Sequence, residues 1–207
     1  VVYELPMFPL GSVLFPYAPL PLHVFEPRYR LMTRHVMEGD KEFGVVLIER
    51  GHEVGGGDVR SRLGTVARIV QVTEAPDGRY GLLTVGVRRI EVVEWLADDP
   101  YPRAAVRALD DLPAPAADAD ARARVGAALT RVVDAARRID ARVEAPPPLD
   151  RDPLRASYEA AALAPIGSYD AQRVLAAPDV ATRLALLETL LHERAEEFEA
   201  RFGDDQG

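Results

Sequence analysis

Cysteine is absent from this 207-residue chain, and lysine almost so: of 25 basic residues only Lys41 is a lysine. Without thiols there is no disulfide framework, no thiolate metal site and no cysteine nucleophile, and a reducing compartment is compatible. The lysine poverty, alongside abundant alanine and aspartate, records GC-rich coding more than arginine chemistry. Histidine is sparse as well. His23, His35, His52 and His192 never approach the H-x-x-x-H or H-E-x-x-H spacing of a metal site. No run of about 18 uninterrupted apolar residues exists, so no membrane-spanning helix is expected. Positive charge is also short. Net charge is −8; residues 1–112 carry 16 acidic and 13 basic side chains, residues 113–207 carry 17 and 12. Neither part has the basic excess that binding to nucleic-acid phosphates requires. The start, VVYELP, lacks a basic leader, a cleavage site and an initiating Met, so the expectation is that a few residues precede it. What remains, 48% hydrophobic and 28% charged residues, suits one large globular domain or two small ones.

The stretch that organises the chain is Leu5 to Met37, LPMFPLGSVLFPYAPLPLHVFEPRYRLMTRHVM. Its prolines (Pro6, Pro9, Pro16, Pro19, Pro21, Pro27) forbid a continuous helix, since each interior proline deletes a hydrogen bond and clashes with the preceding turn. Short buried strands at Tyr3–Met7, Val13–Phe15 and Leu20–Phe25, joined by proline corners, are the expectation. Pro27 then opens a helix over about 27–38, with Glu26 as its cap and Gly39 as its stop. Tyr29, Met32 and Val36 share its buried face.

Further along, Phe43–Ile48 reads as a strand covered on both faces. Gly51–Arg62, GHEVGGGDVRSR, reads as a surface loop. It is no phosphate loop, because no Gly-Lys-Ser/Thr follows. Leu63–Thr73 is a strand with a bulge near Arg68. Pro76-Asp77-Gly78 turns it into Tyr80–Val87, Arg88-Arg89 interrupts, and Ile90–Trp95 and Tyr101–Leu109 close the β part. PAPAA, Pro113–Ala117, is a stiff linker. Beyond it the pattern is helical. Val125, Leu129, Val132, Ala136, Ile139 and Val143 form one stripe from about Asp118, ended by Pro146–Pro148. Asp152-Pro153 starts a second helix, Ser168 caps a third, and Asp179 caps a fourth with Val180, Leu184, Leu187, Leu191 and Phe198 inward. Glu197 and Arg201 fall at pairing distance, and the tail GDDQG should fray.

PLGSVLFPYAPLPLHVFEPRYRLM resembles the signature of the Lon protease N-terminal, substrate-binding domain, in its stand-alone bacterial form. In the same order, LGTVARIVQV (Leu63–Val72), APDGRY (Ala75–Tyr80), VGVRRIEV (Val85–Val92) and DAQRVLAAPDVATRLALLETLL (Asp170–Leu191) resemble that family's later segments. Ala171 stands where the family has lysine, and the middle, about Leu112–Pro165, matches weakly. The resemblance implies an α+β protein: a PUA-like β-barrel or folded sheet over residues 1–112, then an all-α helical bundle over 118–207. It also implies a substrate-binding module without the ATPase and protease parts. The expected role is a non-catalytic adaptor or holdase for unfolded or degron-bearing polypeptides, in the cytoplasm, serving a protease or a chaperone, with no cofactor, nucleic acid or membrane partner.

A Ser-Lys dyad needs a lysine of lowered pKa beside a serine. Ser12, Ser61, Ser157 and Ser168 have only Lys41, in an exposed GDKEF setting. A hydrolase using Glu26, His23 or Ser12 in a cleft between the two domains is one alternative. A PUA-like nucleic-acid binder centred on Arg60, Arg62, Arg88 and Arg89 is another. For polypeptide binding the candidates are Phe15, Tyr17, Pro19 and Leu20, a proline-set apolar corner beside Arg28 and Tyr29. An apolar patch rimmed by charge is the usual form of a partner surface. The competing reading makes Phe15 and Leu20 core, with Tyr17 at its edge.

Overall fold

The computed structural model describes residues 1–50, 59–112, 119–140 and 142–204. Two compact units divide the chain, Val1–Asp110 and Asp111–Gly207. The first holds β1 (Val2–Leu10), β2 (Pro19–Val24), α1 (Pro27–Met37), β3 (Glu42–Arg50), β4 (Val59–Glu74), β5 (Tyr80–Trp95) and β6 (Arg103–Ala108). Its strands form one mixed sheet in the order β2-β5-β4-β3-β1-β6, and β5 also pairs β6. The pairings from β1 through β3, β4, β5 and β6 therefore return to β1 as a closed circuit, and β2 is appended to the hairpin end of β5. Only β1–β3 is parallel. Leu5, Met7, Val46, Val66, Ile90, Val92 and Val106 make one apolar cluster. Phe8, Leu14, Val24, Tyr29, Met32, Phe43 and Tyr80 belong to a second, which includes the buried face of α1.

Two prolines sit inside β1 although its place in the sheet is central. The pairing resolves this. Val2–Pro6 pairs only with β6 and Met7–Leu10 only with β3, so each half has one open side toward which a missing N–H can point. Val13–Phe15 is not a strand, contrary to expectation. The Thr65 hydroxyl donates to the Leu14 carbonyl at 2.6 Å, which holds that segment across β4 without a ladder. Arg88-Arg89 does not interrupt β5 either. Arg88 donates to the Glu42 carboxylate at 2.7 Å and Arg89 to the Asp110 carbonyl at 3.3 Å, so strand geometry survives two adjacent charges. Register shifts in β4 fall at Val66/Ala67 and Ile69/Gln71, on either side of Arg68. In the β4–β5 turn Gly78 takes φ 75°. There the Arg79 backbone N–H on the Asp77 carboxylate is the leading cause holding that carboxyl below its ordinary value.

Helix α1 begins and buries as the sequence predicts, with Tyr29, Met32, Thr33 and Val36 inward. Glu26 occupies the capping position, but its side chain makes no cap bond; it accepts from Arg28 at 3.1 Å instead. Of the predicted loop, residues 51–58 lie outside the described residues, whereas Val59–Arg62 is strand. The linker expected at Pro113–Ala117 also lies outside them.

The second unit holds α2 (Ala119–Ile139), α3 (Pro153–Leu163), α4 (Ser168–Ala176) and α5 (Val180–Asp204). Val125, Leu129 and Val132 are buried on α2, and Leu184, Leu187 and Leu191 on α5. Val143 lies past the end of α2, and Val180 and Phe198 are only half-buried. Asp152 caps α3 through the Leu154 N–H at 2.8 Å, and Asp179 caps α5 through the Thr182 N–H at 2.7 Å. For α4 the cap is Gly167, and Ser168 is its first residue. Glu197 accepts from Arg194 rather than Arg201. Gly203 and Asp204 of the tail are still helical, and its last three residues lie outside the described ones. Asp111 and Leu112 already belong to this unit: the Leu112 N–H donates to the Pro178 carbonyl at 2.9 Å, and Asp111 pairs with Arg183. Arg183, fully buried, is the feature of this unit that no apolar pattern announces.

Candidate functional site

The sequence candidates separate by burial. Phe15 and Tyr29, each 3% exposed, belong to the interior, and Tyr29 stacks on Phe8 with ring centroids 4.2 Å apart. Leu20 is half-buried against the same cluster. Arg28 covers the ring of Tyr29 at 4.6 Å while pairing with Glu26. Tyr17 and Pro19 are exposed. The outward surface of the proline corner is therefore made by Tyr17 and Pro19, with Phe15 turned to the interior and Tyr29 packed on Phe8 instead.

Local chemistry explains why Tyr17 points outward. Its φ of 67° is left-handed, an uncommon conformation for a bulky side chain. Two backbone bonds hold it there: the Tyr17 N–H donates to the Gly86 carbonyl at 2.8 Å, and the Gly86 N–H donates to the Ala18 carbonyl at 2.9 Å. A Cβ at residue 86 would collide with the Phe15 carbonyl oxygen. Only glycine lets the corner lie this close on β5. A strained residue kept by a close-fitting frame is a reason to look for function there.

Register extends the surface beyond the corner. Pro21 pairs Leu83 and Leu83 pairs Gln71; His23 pairs Gly81 and Gly81 pairs Thr73. Directly paired residues share a sheet face, and here that face is turned to solvent. Pro19, Pro21, His23, Gln71, Thr73 and Leu83 are all exposed. A shallow depression of about 400 Å³ lies among Pro21, His23, Gln71, Thr73 and Leu83. Val70, in the β4 register shift, is 56% exposed, and Phe25, just past β2, is 52% exposed. Pro21, Val70 and Leu83 escaped the sequence reading. The signal was present in Leu82-Leu83, where two adjacent leucines in a strand must face opposite sides.

A second concavity, of about 480 Å³, lies between the first half of β1 and the start of β3. Arg88 bridges the Tyr3 hydroxyl at 3.1 Å and the Glu42 carboxylate. Arg68 also donates to Glu42, at 2.6 Å. Burial pushes the Glu42 carboxyl up, but hydrogen bonds from Arg88 and Arg68 outweigh it and hold the group below its ordinary value. The bond to Glu42 raises Arg88. His35 Nδ1 lies 3.0 Å from the Tyr101 hydroxyl, whose pKa burial pushes up.

The residues proposed for other chemistries are dispersed or occupied. Among the described residues, no hydrogen bond joins Ser12, His23 and Glu26 to one another. Ser157 is buried and accepts from Arg183 at 3.1 Å. Lys41 is exposed. No group of three or more histidine or acidic side chains among the described residues could hold a metal ion. The arginines of the nucleic-acid reading are engaged within their own unit: Arg60 with Asp98 at 2.6 Å, Arg62 with the Val93 carbonyl at 2.9 Å, Arg88 and Arg89 as above. No described helix is long and apolar enough to cross a membrane.

Comparison with known proteins gives one family. The model of the ATP-dependent protease La (LON) substrate-binding domain matches residues 4–193. Lon protease 2 of Myxococcus xanthus is 36% identical over 110 residues, 52% of this chain and 13% of that protein. Lon protease 1 of Herpetosiphon aurantiacus is 26% identical over 196 residues, 91% of this chain and 24% of that protein. The chain thus spans a quarter or less of these curated relatives. Among solved structures, the Lon N-terminal domain protein from Xanthomonas campestris superposes with a TM-score of 0.62 at 26% identity, covering 89% of this chain and 96% of that one. The N-terminal domain of Mycobacterium avium complex Lon protease gives 0.61 at 16% identity over 92% and 98%, a likeness of fold. This chain belongs to the Lon substrate-binding domain family.

Proposed function

From that membership we propose that the chain binds polypeptide without cleaving it, through the outer face of β2, β5 and β4 around Tyr17, Pro19, Pro21 and Leu83. The observation that carries the reading is Tyr17, 41% exposed yet fixed in a left-handed conformation by Gly86. An aromatic ring beside two rigid prolines offers apolar contact at little entropic cost, which suits apolar client segments of varied sequence. Phe15, Leu20 and Arg28 brace that surface from beneath and beside it. The closed circuit of strands supports reading the first unit as PUA-like. We place the protein in the cytoplasm as an adaptor or holdase for unfolded or degron-bearing clients, which it holds for a protease or chaperone.

The test is titration of a permanently unfolded, fluorescent model polypeptide such as reduced, carboxymethylated lactalbumin. Reversible saturable binding is expected, with intact polypeptide recovered afterwards. Tyr17→Gly, which also relieves the left-handed strain, should weaken binding by about tenfold, the scale of one lost aromatic contact, while the melting temperature stays near that of the parent. Cleavage at enzymic rates, or no binding at all, would remove this function.

A further inference from the structure

We propose that the slot between the first half of β1 and the start of β3 is a second polypeptide contact, taking an extended segment with a basic side chain. It rests on the reading that the chain binds polypeptide, but it uses other residues. The sheet leaves a strand position empty there. β3 pairs β1 only from Met7 onward, while β1 runs back to Val2 against β6 alone.

The hydrogen-bond parity is fixed by Met7, whose N–H donates to the Pro102 carbonyl at 2.8 Å on the β6 side. Main-chain groups of successive strand residues point to alternate sides. Tyr3, Leu5 and Met7 therefore turn theirs to β6, and Val2, Glu4 and Pro6 turn theirs to the opposite side. Pro6 agrees with this parity, having no N–H to lose. The open edge near the slot thus offers the Glu4 N–H and the Glu4 carbonyl, the complement of one extended residue, while the Pro6 carbonyl belongs to the β3 ladder that starts at the Met7–Gly44 pair.

Charge agrees with that occupant. The slot, about 480 Å³, has Glu4 and Pro6 on one wall and Gly39, Asp40 and Glu42 on another. Its ionisable lining includes three carboxylates, Glu4, Asp40 and Glu42, against one guanidinium, Arg88. Glu42 is taken by Arg68 and Arg88, and Glu4 is shared with Arg103 at 2.8 Å. Asp40 forms no ion pair among the described residues and is exposed at the rim. A lysine or arginine flanking the added strand is the side chain that Asp40 complements. Glu42, Arg88 and Tyr101, each held away from its ordinary pKa, line this slot, as ligand sites tend to show.

The probe is acetyl-Thr-Val-Lys-Val-Thr-amide, titrated into the full chain and followed by NMR. Saturating peptide should slow exchange of the Glu4 amide. Glu4→Pro, which deletes the donor that faces the slot, should weaken binding about tenfold, whereas Glu4→Gln should stay within about threefold. Asp40→Asn, or glutamate in place of the probe's lysine, should also weaken it, and Tyr17→Gly should not. Unchanged Glu4 exchange at saturation would overturn the slot whether or not Glu4→Pro folds. So would a probe that fails to bind while unfolded lactalbumin binds. If neither binds, the polypeptide-binding reading falls and the slot with it.

Discussion

Removing the Asp111 carboxylate should cost the helical unit more than almost any other single polar change. Arg183 is fully buried. Its guanidinium donates to Asp111, to the Ser157 hydroxyl at 3.1 Å and to the Ala177 carbonyl at 3.2 Å, and lies 4.0 Å over the ring of Tyr158. The Tyr158 hydroxyl in turn donates to Asp111 at 2.9 Å. Asp111→Ala leaves a buried cation without its counter-charge, a loss of about 3–5 kcal/mol when one partner of a buried pair is deleted. The stranded Tyr158 hydroxyl adds about 1 kcal/mol. Asp111 is 18% exposed as a side chain, so entering water offsets part of this, and about 3 kcal/mol is expected. Against a typical total of 5–15 kcal/mol, the helical signal at 222 nm in urea should lose cooperativity at clearly lower denaturant. Arg183→Met in the same background should recover most of the loss, because it removes the orphaned charge and keeps the stem. A cost below about 1 kcal/mol for Asp111→Ala, or no recovery in the double variant, would refute the view that this pair pins the chain as it enters the unit.

Gly86→Ala should destabilise the β unit by about 1–3 kcal/mol, the usual cost of overpacking, because its methyl meets the Phe15 carbonyl; chemical denaturation followed by Trp95 fluorescence reads it. Glu42 has a depressed folded pKa, so its share of stability is complete above the unfolded value of 4.5 and is lost as pH falls through the folded value. Acid titration of the fold should therefore become flatter in this window for Glu42→Gln, and an unchanged slope would contradict the Arg68–Glu42–Arg88 arrangement. Titration with single-stranded RNA or duplex DNA at about 150 mM salt should show at most weak, salt-sensitive association, since Arg60, Arg62, Arg88 and Arg89 have internal partners; submicromolar, salt-resistant binding would reverse this.

Periodicity made most elements legible. Tyr29, Met32 and Val36 on α1, and Leu184, Leu187 and Leu191 on α5, are buried where a 3.6-residue repeat places them. The failures at Val13–Phe15, Arg88-Arg89 and Arg183 share a cause: they depend on a partner far away in the chain. Val13–Phe15 looks like strand locally but is held by the Thr65 hydroxyl on the Leu14 carbonyl, which replaces a ladder. Arg88-Arg89 looks like an interruption until Glu42 and the Asp110 carbonyl arrive to meet the charges. Arg183 occupies an α5 position adjoining the leucine stripe, and its burial is intelligible only with Asp111, 72 residues earlier. Of the candidate surface, Tyr17 and Pro19 were legible as a proline-constrained corner. Pro21, Leu83 and Val70 needed the β2–β5–β4 register, which a single strand's sequence does not encode.

The central claim is that polypeptide lies on the outer face of β2, β5 and β4, and site-specific photo-crosslinking tests it at single-residue resolution. Benzoylphenylalanine placed at Tyr17 should capture unfolded carboxymethylated lactalbumin in a yield that excess unlabelled polypeptide abolishes. The same probe at Tyr169, which is 76% exposed on α4, should capture little. Equal capture from both positions, or capture from Tyr169 alone, would contradict the assignment of this face.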